Sequence, residues 1–408
     1  MRHLPARALL ALLVALGAAG CGEDDPAPAS DVGDTLVDAD DVATADVVDD
    51  ADATTDDTDA APAVPADYTA PGPWGVGTTA LTFERDGRTF QARVWYPAAA
   101  GTAPSDVDLA GLAFTSEQSE QLSTLLAAAP AGCPGQPVAS AIDADTADGG
   151  PWPLVVYSHC HECLAVSGLH LGERLASHGV VMAAVEHVGN TLFDRLDETG
   201  LPLDTETLAL READATQVLD AMLAADGPLA ARVPIDAARV AVAGHSFGAV
   251  TAGRVLQEHD APIAGIAFAA PMENPLLPGV TIAELDDPVL FLVAVEDNSI
   301  TEFGNTLLRG NADEAPAGSW RVEVADAGHW SFSDLCGLVD LFAPGCGEGM
   351  RQTAPSEAFT YLAADRGRAI AAALGAAFVG EQLLGDDGAT ARTIDALGDG
   401  IEGFGPNP

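Results

Sequence analysis

Between residues 153 and 324 the chain alternates short, continuous apolar runs with longer segments whose apolar residues recur at helical spacing. The runs 154–157, 180–185, 239–243, 263–269, 289–295 and 320–324 read as strands, and 166–178, 205–224, 247–258 and 300–308 as helices. A strand that is apolar along its whole length has no face to offer water, so both of its faces must be covered. Such strands alternating with helices predict an α/β domain with a mostly parallel central sheet and helices on both sides. Ahead of them, 79–84 and 88–96 flank Asp86-Gly87, a strong hairpin signal. With that hairpin the sheet is mixed and of about eight strands. Residues 98–150 are rich in Ala, Gly, Pro and Ser, with a short helix expected at 116–129. An insertion of that length is more than a connection and is expected to form a lid or wall. An Ala-rich helix is expected over 355–384.

The first residues have a different pattern. Arg2 and Arg7 precede a short apolar run, and Ala18-Ala19-Gly20 stand before Cys21. This is the layout of an export signal, too short for a permanent span. A Cys directly after the small residues resembles a bacterial lipobox, in which the thiol is acylated. Residues 1–21 are therefore expected to be a signal, with a lipid on Cys21 tethering an envelope lipoprotein to a membrane surface. Residues 22–67 carry sixteen Asp or Glu and no basic residue, so self-repulsion is expected to keep them an extended, disordered linker. The globular domain is expected over 68–408.

Charge narrows the partners. Seventeen basic residues, all Arg, against 62 acidic ones leave a formal charge of −45. Such a surface repels nucleic acid and anionic lipid. Six cysteines in an exported chain invite disulfides. Cys336 and Cys346, flanking a Gly/Pro-rich loop, are the first pair expected; Cys133 with Cys160 or Cys163 is a further option.

The chemistry lies in V-A-V-A-G-H-S-F-G at residues 240–248. Gly244-x-Ser246-x-Gly248 is common by itself, but here a buried strand precedes it and a helix follows. The two glycines allow the sharp turn that lifts a serine hydroxyl to a helix N-terminus, where the dipole favours developing negative charge. A nucleophile so placed is followed along the chain by its acid and then its base. His329, after the strand 320–324, has the base's place. Asp297, after 289–295, has the acid's, with Glu296 and Glu273 as weaker rivals. The oxyanion needs two backbone N–H groups. One is expected from Phe247 and the other from His161, in the loop S-H-C-H-E-C after 154–157. The His and Cys of that loop are too crowded to ligate one tetrahedral zinc, and Cys160 with Cys163 suits a disulfide better. No metal or cofactor is expected.

From about residue 95 to 384 the chain resembles the α/β-hydrolase family, most closely its platelet-activating factor acetylhydrolase and dienelactone-hydrolase-like bacterial branch. The resemblance rests on R-V-W-Y-P at 93–97, P-L-V-V-Y-S-H at 153–159 and L-A-S-H-G-V-V-M-A-A-V-E-H-V-G-N-T at 175–191. It continues with G-H-S-F-G at 244–248 and A-G-H-W-S-F-S-D at 327–334. It implies a serine hydrolase acting through an acyl-enzyme on a small-molecule or lipid ester. Thioesters and amides are served by the same triad, and a binding lipoprotein that retains the fold is the alternative from another class. Three departures shape the expectation. Cys160 stands where the family has Gly. Ala269-Ala270 occupies the acetylhydrolase acid position, which leaves the role to Asp297. Ser246 replaces the cysteine nucleophile of the dienelactone hydrolases.

Overall fold

The computed structural model describes residues 66–134 and 137–407. The expected signal, the lipidation site Cys21 and nearly all of the acidic linker lie outside the described residues.

The chain opens with β1 (Gly75–Arg85) and β2 (Arg88–Ala98), paired antiparallel over their whole length. Asp86 and Gly87 both have positive φ, 54° and 76°, as a two-residue hairpin turn requires. Then follow α1 (Ser116–Ala128), β3 (Ala141–Ile142), β4 (Trp152–Ser158), α2 (Leu169–Ser177), β5 (Val181–Glu186), α3 (Leu192–Leu196) and α4 (Thr205–Leu223). Next come β6 (Ile235–His245), α5 (Phe247–Glu258), β7 (Pro262–Phe268), β8 (Val289–Ala294), α6 (Thr301–Glu314) and β9 (Trp320–Val324). The chain closes with the small hairpin β10 (Glu348–Met350) and β11 (Ala358–Thr360), α7 (Ala364–Leu384), α8 (Ala389–Leu397) and β12 (Ile401–Phe404).

The main sheet has ten strands in the order β12-β9-β8-β7-β6-β4-β5-β2-β1-β3. The six strands from β9 to β5 are parallel, and β2 joins β5 antiparallel. The two strands beyond the expected eight are the edges β3 and β12, too short to show a pattern. Successive side chains of each strand leave by opposite faces. Val240 and Val242 of β6 pack with Val218 and Met222 of α4, Val255 of α5 and Leu308 of α6. Ala241 and Ala243 face Leu175 of α2 and Leu374 and Phe378 of α7. Covering both faces is what made the central strands read as unbroken apolar runs. The last long helix begins at Ala364 rather than near 355, because Phe359 pairs with Gly349 across the β10–β11 hairpin.

The insertion 98–150 packs Leu109, Leu112, Leu122 and Val138 into the core on the α2/α7 side. A disulfide from Cys133 to Cys346 ties it to the segment that follows β9, with Cα atoms 5.8 Å apart. This corrects the expected Cys336–Cys346 pair. Cys336 points into the core beside Leu335 and Phe342, where burial pushes its free thiol up to about 12. The second disulfide joins Cys160 to Cys163.

Candidate active site

β6 ends at His245 and α5 begins at Phe247, so Ser246 is the single hinge residue between them. Its backbone sits at φ 56° and ψ −120°, a strained conformation for a residue with a side chain. The flanking glycines explain how the strain is held. A Cβ on Gly244 would lie 2.0 Å from the Gly248 carbonyl oxygen, and one on Gly248 would lie 1.9 Å from that of Ser158. No side chain fits at either place, so strand, turn and helix close onto β4 only with glycine at both. The Ser246 N–H donates to Phe268 O at 2.9 Å, fastening the turn to β7.

The parallel strands deliver three loops to this turn. His329, from the loop after β9, places Nε2 2.8 Å from Ser246 Oγ. Its Nδ1 lies 2.7 Å from Asp297 Oδ2, from the loop after β8. The other Asp297 oxygen accepts the N–H groups of Ser299 and Ile300 at 2.8 and 2.9 Å, which fixes the carboxylate plane. Asp297 is fully buried and His329 nearly so, whereas Ser246 is half-buried. The His329 carbonyl accepts from His245 Nε2 at 2.8 Å, and the Trp330 ring stands edge-on to both imidazoles. Burial, then the neighbouring His329, pulls His245 down to about 3, so it stays neutral and holds the His329 loop as a donor.

The rival carboxylates are engaged elsewhere. Glu296 accepts from Arg351, Thr353 and the backbone of Gln352; burial raises its pKa, but these bonds more than offset that. Glu273 takes the N–H of Ile282 at 2.7 Å.

Phe247 and His161 come together above the turn, their rings edge-to-face at 5.9 Å. Among the described residues neither backbone N–H has an acceptor, which leaves both free for a ligand. The Cys160–Cys163 disulfide closes the turn that carries His161, with Glu162 left-handed at φ 54° between them. Cys160 in place of glycine therefore anchors this loop covalently. Among the described residues no group of His, Cys, Asp or Glu is arranged to hold a metal.

A buried polar network behind the loop went unread in the sequence. Arg211 of α4 donates to Ser158 Oγ at 3.0 Å, to Asn190 Oδ1 at 2.6 Å, to Thr251 Oγ1 at 3.2 Å and to the His159 carbonyl. Ser158, His187 and Asp214 form a second Ser-His-Asp arrangement, with Ser158 Oγ 2.9 Å from His187 Nε2 and His187 Nδ1 3.3 Å from Asp214. Asp214 also pairs with Arg85 and Arg88. The available signal was the position of Arg211. It shares a helical stripe with Leu208, Ala215, Val218 and Met222, where a charge must find buried partners.

Residues 65–193 match the family model of platelet-activating factor acetylhydrolase, isoform II. That stretch runs from the β1–β2 hairpin through the His161 loop and Asn190 and stops before the serine turn. Among solved structures the chain is similar to a ferulic acid esterase from Streptomyces cinnamoneus, at 23% identity and a TM-score of 0.57. The similarity covers 78% of this chain and 93% of the esterase. No curated protein matches significantly. The fold is that of the α/β hydrolases. The structural similarity extends over most of that fold, and the family match covers its first part.

Proposed function

We propose that the protein is a serine carboxylesterase with Ser246 as nucleophile, His329 as general base and acid, and Asp297 as the carboxylate that orients the base. The observation that carries this reading is the continuous hydrogen-bonded chain from Asp297 through His329 to Ser246 Oγ, ending at a strained, half-buried serine.

In the first half-reaction Ser246 Oγ attacks the ester carbonyl while His329 Nε2 takes its proton. The developing oxyanion sits between the N–H groups of Phe247 and His161. The carbon–oxygen bond to the alcohol then breaks, and the alcohol leaves with the proton from His329. In the second half-reaction water gives a proton to His329 and attacks the acyl carbonyl. The acid departs, and the proton returns to Ser246. Asp297 holds Nδ1–H throughout and stabilises the imidazolium in each half-reaction. Two backbone N–H groups on one carboxylate oxygen leave the other for His329 alone, which favours a single tautomer.

Stoichiometric labelling by a fluorophosphonate, together with hydrolysis of 4-nitrophenyl acetate, is the expected result for the native protein. Both should vanish in Ser246→Ala while the circular dichroism spectrum is unchanged. A folded native protein that takes no label, or a Ser246→Ala variant that still turns over, refutes the reading and favours a binding module on the same fold.

A further inference from the structure

We infer that Arg211 is the positioning residue of the oxyanion hole, setting the direction of both donor N–H groups without touching substrate. The inference rests on the catalytic reading of Ser246 and extends it to a residue on a different helix.

Arg211 is fully buried, and burying a guanidinium costs several kcal/mol unless every donor is used. Its five N–H groups form a flat fork, the only side chain able to reach separate segments in fixed directions. Here the fork reaches the β4 loop through the His159 carbonyl and Ser158 Oγ, the loop after β5 through Asn190, and α5 through Thr251. Those segments carry the two proposed oxyanion donors.

The path to His161 can be followed bond by bond. A trans peptide points its C=O and the next N–H in opposite directions. The Cys160 carbonyl and the His161 N–H share one peptide, so pinning the first aims the second. That carbonyl accepts from the His159 ring Nδ1 at 2.7 Å and from the Cys163 N–H at 3.3 Å. The His159 ring is held in turn by the His187 N–H donating to its Nε2 at 3.1 Å. Arg211 fixes the main chain of His159 itself and, through Asn190, the His161 side chain, since Asn190 Nδ2 donates to His161 Nδ1 at 2.8 Å. The path to Phe247 is shorter. The guanidinium lies against the Phe247 ring, its central carbon 4.7 Å from the ring centroid, and bonds Thr251 one turn along the same helix. One planar group thus sits between the two donors and braces each.

Arg211→Met, Arg211→Lys and Asn190→Ala test this. For an oxyanion hole that loses its alignment, kcat for 4-nitrophenyl acetate should fall by about 10²–10³ in Arg211→Met with KM changed only a few-fold. Lys, a point charge without the fork, should recover little of it, and Asn190→Ala should lose about tenfold, because only the His161 side-chain link is cut. The decisive readout is the inhibition constant of an acetyl-bearing trifluoromethyl ketone, whose serine adduct carries an anionic oxygen. It should weaken across the variants in proportion to kcat/KM. A general structural fault would instead lower the labelled fraction and leave that proportion broken. Folded Arg211→Met with kcat within threefold of native, or with ketone affinity unchanged, overturns the inference. If Arg211→Met does not fold, the same proportionality decides on Arg211→Lys and Asn190→Ala. Loss of fluorophosphonate labelling at Ser246 in the native protein would instead sink the esterase reading itself.

Discussion

Gly248→Ala is the sharpest test of how the serine is held, because the structure sets the size of its effect. The added methyl would stand 1.9 Å from the Ser158 carbonyl oxygen and 2.7 Å from that of His159, both of them main chain and unable to swing aside. Opening that contact to the roughly 3 Å at which real Cβ contacts begin takes a shift of at least ~1 Å between the start of α5 and the end of β4. Such a shift has two readable consequences. Overpacking at a buried backbone contact costs about 1–3 kcal/mol, which should appear as a lower urea midpoint with an unchanged slope. Ser246 moves with α5 relative to His329 and the Cys160–His161 peptide, and a ~1 Å misplacement of reacting groups costs about 10²-fold in rate. The assay is kcat on 4-nitrophenyl acetate per fluorophosphonate-reactive site, which removes any contribution from unfolded protein. A folded Gly248→Ala with kcat within threefold of native would mean that the turn is not clamped against β4, and the account of the elbow would fail.

Two further predictions separate neighbouring groups. Asp297→Asn should lower kcat by about 10³–10⁴, as removing the charge that holds a catalytic imidazole does, while Glu296→Gln should cost no more than a few-fold. A collapse in Glu296→Gln with activity retained in Asp297→Asn would reverse the assignment. His245→Gln, which keeps a donor for the His329 carbonyl, tests the buried neutral imidazole. With the folded pKa at about 3, the unfolded chain takes up a proton below its ordinary value of ~6.5 and the folded one does not. Stability contributed by this site is therefore lost as pH falls from ~6.5 towards 3, by about 1.4 kcal/mol per unit. Urea unfolding should show the variant gaining roughly 2–3 kcal/mol on the native protein between pH 7 and pH 4.5; parallel pH profiles would disprove it.

What could be read from the chain, and what could not, follows the range of the interactions. The Ser246 turn is a local object. Its strand, two glycines and helix all lie between Ile235 and Glu258, and each glycine answers a contact that the geometry makes unavoidable. The central strands are legible for a similar reason, since burial on both faces leaves continuous apolar runs in β4, β5 and β8. Position along the chain favours Asp297 over Glu296 and Glu273 without excluding them, because what separates the three is where the β9 loop carries His329. Cysteine spacing misled, since Cys336 and Cys346 are near in sequence while Cys346 bonds across a separation of 213 residues. Edge strands β3 and β12 owe their pairing to neighbours rather than to their own pattern, and so left no signal.

The second Ser-His-Asp arrangement shows which features of a triad carry chemistry. Ser158, His187 and Asp214 repeat the contacts of Ser246, His329 and Asp297, yet a consistent placement of protons makes them a lock. Arg211 donates to Ser158 Oγ, Ser158 donates to His187 Nε2, and His187 Nδ1–H donates to Asp214. An oxygen that already accepts from a cation is a poorer nucleophile. Burial and the surrounding Arg211, Arg88 and Arg85 hold His187 well below its ordinary pKa, opposing the protonation a general base must undergo. All three side chains are buried, and Ser158 lies in the regular strand β4. Ser246 differs in each respect: its backbone is strained, the residue is only half-buried, and the Phe247 and His161 amides nearby have no acceptor among the described residues. The distances alone would nominate either serine. The proposal falls on Ser246 because its turn is strained and half-buried and two amides without an acceptor belong to the loops around it.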